Sequence, residues 1–322
     1  MIRTTPARLL VAAASSALLL SACGAAADDE SGSTDQTVTV TDNHGEIEVP
    51  VDPASVVALD NTAFETLSAF GVELTAAPKQ VMGSLWPEYT EDESVLDVGA
   101  HFEPDLEAVV EAEPDLIIGG YRFAELYDDL KEIQPATVET TVRDGEDHAA
   151  ELIRQTELLG QIFDAEDKAD EIIAEFEDAI ADAQAAYNGE DTVVGLLTSA
   201  GEISYSAPGE GRGVGVLYPT LDLVPGLARE AEDADHGDDI SLEAIADADP
   251  DWLIVLDRDG AFQEDGYQPA EELIGEAEAL QNVTAVQKDQ IVYLDPNFYL
   301  DEGIQAYTAL YRAVADAFED AS

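Results

Sequence analysis

The chain has 322 residues, 46% of them apolar, enough for two lobes that each bury a core. Its 71 acidic residues against 13 basic ones give a formal net charge of −58. Such a surface repels nucleic acid and anionic headgroups, which excludes both as partners. It repels itself least where concentrated salt, at about 1 M, shortens the Debye length to about 3 Å.

In chain order, Arg3 and Arg8 precede an apolar run, Leu9 to Leu20, and then small residues. This order marks a secretory signal peptide, and the run falls short of the roughly 20 residues that a spanning helix needs. Leu20-Ser21-Ala22-Cys23 has the form of a bacterial lipobox, whose cysteine is lipidated after cleavage. The expectation is a signal peptide over 1–22, a lipid anchor at Cys23 on the outer face of the cytoplasmic membrane, and a flexible acidic tether over 23–36. Cys23 is the one cysteine, so no disulfide forms within the mature chain.

"QTVTVTDNHGEIEVP" alternates β-branched and polar residues about Asn43-His44-Gly45 and predicts a hairpin. "SVVALD" predicts a short buried strand, followed by a helix with Phe64, Leu67 and Phe70 on one face and Gly71 at its end. From Glu166 to Tyr187 there is neither Gly nor Pro, and Ala169, Ile172, Ile173, Phe176, Ile180 and Ala183 keep a helical period. Such a helix spans about 33 Å, enough to bridge two lobes. The predicted organisation is a first lobe over 37–165, an inter-lobe helix over 166–188, and a second lobe over 189–322. The fold class is α/β, with two lobes carrying parallel-type sheets joined by one long helix.

A repeat ties the lobes together. "LEAVVEAEPDLIIGGYR" (Leu106–Arg122) returns 136 positions later as "LEAIADADPDWLIVLDR" (Leu242–Arg258), with eight of seventeen positions identical. Each copy reads as a helix, a Pro-Asp break and a strand that ends just before an arginine. Ligands of open α/β sheets bind beyond the carboxyl ends of strands, so each lobe sends an arginine, Arg122 or Arg258, toward a shared cleft. Arg212 lies in "SAPGEGRGVG", whose glycines let backbone approach a ligand closely; the loop lacks a P-loop ending and a dinucleotide fingerprint. Guanidinium suits oxygen-rich anions, so the three arginines point to anion binding; the competing reading is that they neutralise nearby carboxylates.

Of the four histidines, His44 reads as a turn residue and His148 as solvated at a helix start. His236, in "DADHGDD", precedes the second repeat helix near the cleft mouth, and His101 holds nearly the same place in the first lobe. They do not form a metal-binding motif by spacing. Tyr299 follows the strand predicted at Ile291–Leu294 and offers either core packing or a hard oxygen donor suited to ferric iron. Trp86 and Tyr121 are candidates to stack on a flat ligand or to anchor loops. No nucleophile–base motif is present, which argues against an enzyme.

The lipobox, the two lobes, the long helix and the duplicated "LEAxxxAxPDxxI" resemble the iron-siderophore substrate-binding lipoproteins of ABC importers. The resemblance covers roughly residues 37 to 320 and is nearest the catecholate and petrobactin-type branch, because "YRFAELYDDLKEIQPAT" sets Arg122 eight before Leu130. It implies the helix-hinged periplasmic-binding-protein fold, a ferric siderophore as ligand, no cofactor and no catalysis, and a monomer that delivers cargo to permease subunits. It also implies ligand contacts from Arg122, Arg212 and Arg258, with His236 and Tyr299 completing an iron shell. The segment between Pro296 and Tyr299 is one residue shorter than the expected pattern. Permease docking falls to Glu107 and Glu243, equivalent positions of the two repeats. Haem or cobalamin on the same fold, or a lipid-anchored surface hydrolase, are the alternative readings.

Overall fold

The computed structural model describes residues 36–321 apart from 101–102, 144 and 263–266. The expected signal peptide, the expected lipidation site Cys23 and His101 lie outside the described residues. From Asp35 onward the chain packs as one compact unit containing two main sheets.

The hairpin forms from Thr37–Asp42 and Gly45–Pro50, with Asn43 and His44 in its turn. The first main sheet runs in the order Leu96–Asp97, Ala76–Ala77, Val56–Ala58, Leu116–Gly119, Thr137–Glu139, every pair parallel. Its central strands Val56–Ala58 and Leu116–Gly119 bury both faces, which explains why they read as continuous apolar runs. Leu116 and Ile118 pack into one core with Phe64 and Leu67, whereas Ile117 packs into another with Val109 and Leu130.

The second sheet keeps a parallel centre, Thr192–Ser199 beside Trp252–Asp257 beside Ile291–Tyr293. Its other side departs from the expected parallel type: Glu202–Ser206 runs antiparallel to Thr192–Ser199, and Asp238–Asp239 antiparallel to it. The cause is local. Ala200 and Gly201 both hold positive φ (52° and 77°) and turn the chain straight back, a two-residue hairpin signal that the sequence carries only weakly as Ala-Gly. Trp252, Ile254 and Leu256 face one core, Leu253 and Val255 the other.

The long helix spans Glu166–Ala186, two residues short of the predicted end at 188. Near its start, Lys168 Nζ donates to the carbonyls of Ala69 (3.2 Å) and Phe70 (2.9 Å) in the first lobe. Near its end, Gln184 Nε2 donates to the Thr220 carbonyl (2.7 Å) in the second. It is not the sole crossing. The helix His148–Ile162 puts Leu158, Leu159 and Ile162 into the first core and Ala149 and Leu152 into the second. The closing helix Ile304–Asp320 packs along the long helix, with Tyr311 edge-on to Phe176 at 5.8 Å.

The lobes also meet directly, backbone against backbone. A Cβ on Gly303 would stand 2.5 Å from the Thr62 carbonyl oxygen, a distance no relaxed structure holds. Gly303→Ala must therefore push the two chain segments apart, and overpacking of this kind costs about 1–3 kcal/mol. We expect a lower urea midpoint at unchanged slope.

Candidate functional site

A cavity of about 490 Å³ opens between the lobes beyond the carboxyl ends of the strands. The first lobe lines it with Gln80, Val81, Ala100, Tyr121 and Arg122; the second adds Arg212, Asp235, His236, Arg258, Phe262, Tyr299 and Leu300. Six of the sequence-derived candidates thus share one space: Tyr121, Arg122, Arg212, His236, Arg258 and Tyr299.

Tyr299 is the centre of the arrangement. It is 4% exposed, and three guanidinium carbons lie around its ring: Arg212 at 4.0 Å, Arg258 at 5.3 Å and Arg122 at 5.4 Å from the centroid. Burial alone would raise its phenol pKa. The charge of Arg212, a hydrogen bond from Arg258 and the charges of Arg122 and Arg258 outweigh that and hold it below the ordinary phenol value. The surrounding cations thus make this buried phenol easier to deprotonate than an isolated one, which suits it to serve as an oxygen donor.

The three arginines are not equivalent. Arg212 Nε donates to Glu302 Oε1 at 2.7 Å, its Nη2 donates to Oε2, and Tyr121 donates its hydroxyl to the same Oε2 at 2.9 Å. Although burial works against it, the Glu302 charge raises the Arg212 pKa and keeps the guanidinium protonated. Arg122 and Arg258 have no carboxylate within 4.0 Å among the described residues. Their Nε atoms are buried without a hydrogen-bond partner, and Arg258 is steadied by donating Nη1 to Ser199 Oγ at 2.8 Å. For Arg212 the neutralising role left open by the sequence describes its contacts; for the other two it does not.

The glycine-rich loop likewise has a different purpose from the expected one. A Cβ on Gly211 would lie 2.3 Å from Ser206 Oγ, and one on Gly215 would lie 2.4 Å from the Ala207 carbonyl oxygen. These two glycines let the loop fold closely against its own chain. That tight loop is what carries Arg212 inward to Glu302.

Trp86 is a correction. It is 5% exposed, stands edge-on to Phe64 at 5.2 Å and donates Nε1 to Glu65 Oε2 at 2.6 Å, so it belongs to the first core and does not reach the cavity. His236 lies at the rim, its side chain 59% exposed, with Nδ1 3.1 Å from Asp233 Oδ1. His148, expected to be solvated, instead stacks edge-on against Tyr307 at 4.5 Å, and burial pushes its pKa down to about 4. Glu107 and Glu243 are exposed in the first turns of Leu106–Glu111 and Leu242–Ala248, at matching places under the caps Asp105 and Ser241.

Sequence reasoning missed Glu302, Ser199 and Phe262. Phe262, exposed and 6.0 Å from Tyr299 edge-on, had a signal in its place four residues after Arg258. Glu302 had none, being one of 71 acidic residues. Among the described residues there is no group of three His, Cys, Asp or Glu that would hold a resident metal ion, and no helix long and apolar enough to cross a membrane.

Comparison with known proteins places this geometry. A family model described as "Periplasmic binding protein" matches residues 56–298. The petrobactin-binding protein YclQ of Bacillus subtilis (strain 168) is 30% identical over 276 residues, 84% of each chain. Its crystal structure superposes with a TM-score of 0.78 at 28% identity, covering 88% of this chain and 99% of that one. The ferric-anguibactin-binding protein FatB of Vibrio anguillarum is 25% identical over 260 residues, 80% of each.

In the first lobe, Asp60 is fully buried and accepts from Thr62 N (3.0 Å) and Thr62 Oγ1 (2.7 Å). Burial dominates and pushes its pKa up to about 6 from 3.8. The folded state therefore binds this proton more tightly than the unfolded chain. Stability from Asp60 is present below pH about 4 and is lost as pH rises through about 6. In Asp60→Asn, urea midpoints compared with wild type should shift in the variant's favour between these values and level off above them. A difference that ignores pH would contradict this.

Proposed function

This chain belongs to the periplasmic binding protein family, and we propose that it captures a ferric siderophore, of catecholate type, and delivers it to an ABC importer. The observation that carries the reading is the pair of guanidiniums, Arg122 and Arg258, with no carboxylate within 4.0 Å among the described residues, around a buried tyrosine in an otherwise acidic protein. The relatives named for petrobactin and ferric anguibactin support the same ligand class.

Arg122 and Arg258 attract the anionic chelate by charge-assisted hydrogen bonds in a cleft poorer in water than the surface, where such bonds are strongest. A chelate that leaves iron positions open receives the Tyr299 phenolate, a hard oxygen ligand for ferric iron, and His236 from the rim. Tyr121 and Phe262 bound the ligand with their rings. No covalent bond of the ligand is made or broken; the protein binds the chelate and releases it unchanged.

The wider arrangement follows the same reading. Residues 1–22 are removed, Cys23 is lipidated and holds the protein on the outer face of the cytoplasmic membrane, and 23–36 form the tether. The first lobe (37–165) and second lobe (189–322), linked through 166–188, present Glu107 and Glu243 to the two permease subunits. The protein acts as a monomer and uses no cofactor of its own.

Titrating the soluble domain with ferric catecholates, haemin and cobalamin, read by quenching of Trp86 and Trp252, tests the ligand class. Tight haemin or cobalamin with every siderophore excluded would overturn it. Arg122→Ala and Arg258→Ala should each weaken a ferric catecholate by about tenfold, or about 1.4 kcal/mol. Tyr299→Phe should remove any iron–phenolate absorption seen with a tetradentate ferric chelate, while hexadentate chelates keep their wild-type spectrum.

A further inference from the structure

We propose that Glu302 is a resident counter-anion of the cleft, which neutralises Arg212 and so sets how much negative charge a bound chelate can carry. This rests on the ferric-chelate reading above and adds to it a residue that determines specificity.

Glu302 is 5% exposed and is held by three hydrogen bonds, two from the Arg212 guanidinium and one from the Tyr121 hydroxyl. A buried carboxylate without such partners would be strongly disfavoured, so the three residues stand or fall as a unit. Both ends of the tyrosine–glutamate bond keep left-handed backbone, φ 47° at Tyr121 and 56° at Glu302, a conformation that non-glycine residues hold only when their surroundings fix it. The network also joins the lobes, since Tyr121 comes from the first and the other two from the second.

Its electrostatic effect is directed at the ligand. One face of the Arg212 guanidinium lies on the Tyr299 ring and one edge is occupied by Glu302, so an incoming anion meets a cation already compensated. Among the described residues Arg122 and Arg258 have no carboxylate within 4.0 Å, although Asp235 is also on the lining. Glu302, paired with the lining residue Arg212, thus lowers the local positive charge by one. Removing that negative charge should favour a chelate in proportion to the chelate's own negative charge, and leave an uncharged one nearly alone.

The test compares a trianionic ferric tris-catecholate with an uncharged ferric trihydroxamate, by fluorescence quenching at fixed salt. Glu302→Gln should tighten the trianion about tenfold and alter the uncharged chelate less than about threefold. Equal changes for both ligands, or a weakened trianion, would overturn the proposal. Should that variant not fold, Arg212→Gln and the Arg212→Gln/Glu302→Gln double variant replace it. The double variant must bind the trianion more tightly than Arg212→Gln, and equality counts against the proposal. A ligand-free readout separates this from the functional reading: NMR of carbon-labelled tyrosine, with Tyr299→Phe assigning the resonance. Glu302→Gln should let Tyr299 ionise at lower pH, because Arg212 is no longer neutralised; an unmoved titration refutes the counter-anion role. If wild type binds neither chelate, the functional reading fails and this titration still decides the role of Glu302.

Discussion

The carboxamide of Asn61, fully buried, donates to the carbonyls of both Leu300 and Asp301, each at 3.2 Å. That fork pins the turn between the strand Ile291–Tyr293 and the closing helix against the first lobe. Tyr299 lies immediately before the pinned carbonyls and Glu302 immediately after them, with Gly303 pressed on the Thr62 carbonyl oxygen. Thr66, donating to Gln305 Oε1 at 3.1 Å, extends the seam into the closing helix. The position of the central phenol and of its counter-charge therefore depends on contacts made across the lobes, and a loop tethered to one lobe alone would leave both to wander.

Around this seam the scarcity of cations becomes an organising constraint. Much of the basic complement is engaged: Arg143 and Arg154 hold the buried Glu151, whose pKa they draw down to about 2, Lys168 caps a helix end, and Arg312 pairs with Glu175. Against that background, two guanidiniums facing a cavity without a carboxylate partner form a localised positive centre. In an acidic protein the contrast is large, and field lines from an approaching anion converge there.

Much of this was legible from the sequence, for identifiable reasons. The repeat Leu106–Arg122 and Leu242–Arg258 carried the helix–strand register, and the strand ends delivered their arginines to the cleft as the α/β rule demands. The long helix was legible because it lacks Gly and Pro and keeps its period, whereas the contribution of His148–Ile162 to both cores was hidden by a polar face. Trp86 was misplaced because a tryptophan in a loop looks the same whether it faces a ligand or, as here, Phe64. Arg212 was placed correctly but its partner was not, since no local pattern separates Glu302 from the other carboxylates; the pairing exists only once residues ninety positions apart are folded together.

The paired helices that straddle both cores carry a mechanical implication. Helices of 15 and 21 residues, each packed into or anchored to both halves, resist bending far more than a pair of extended strands would. A large relative motion of the halves would have to break packing in both cores at once. On the binding role proposed above, cargo would be taken up with little change of outline.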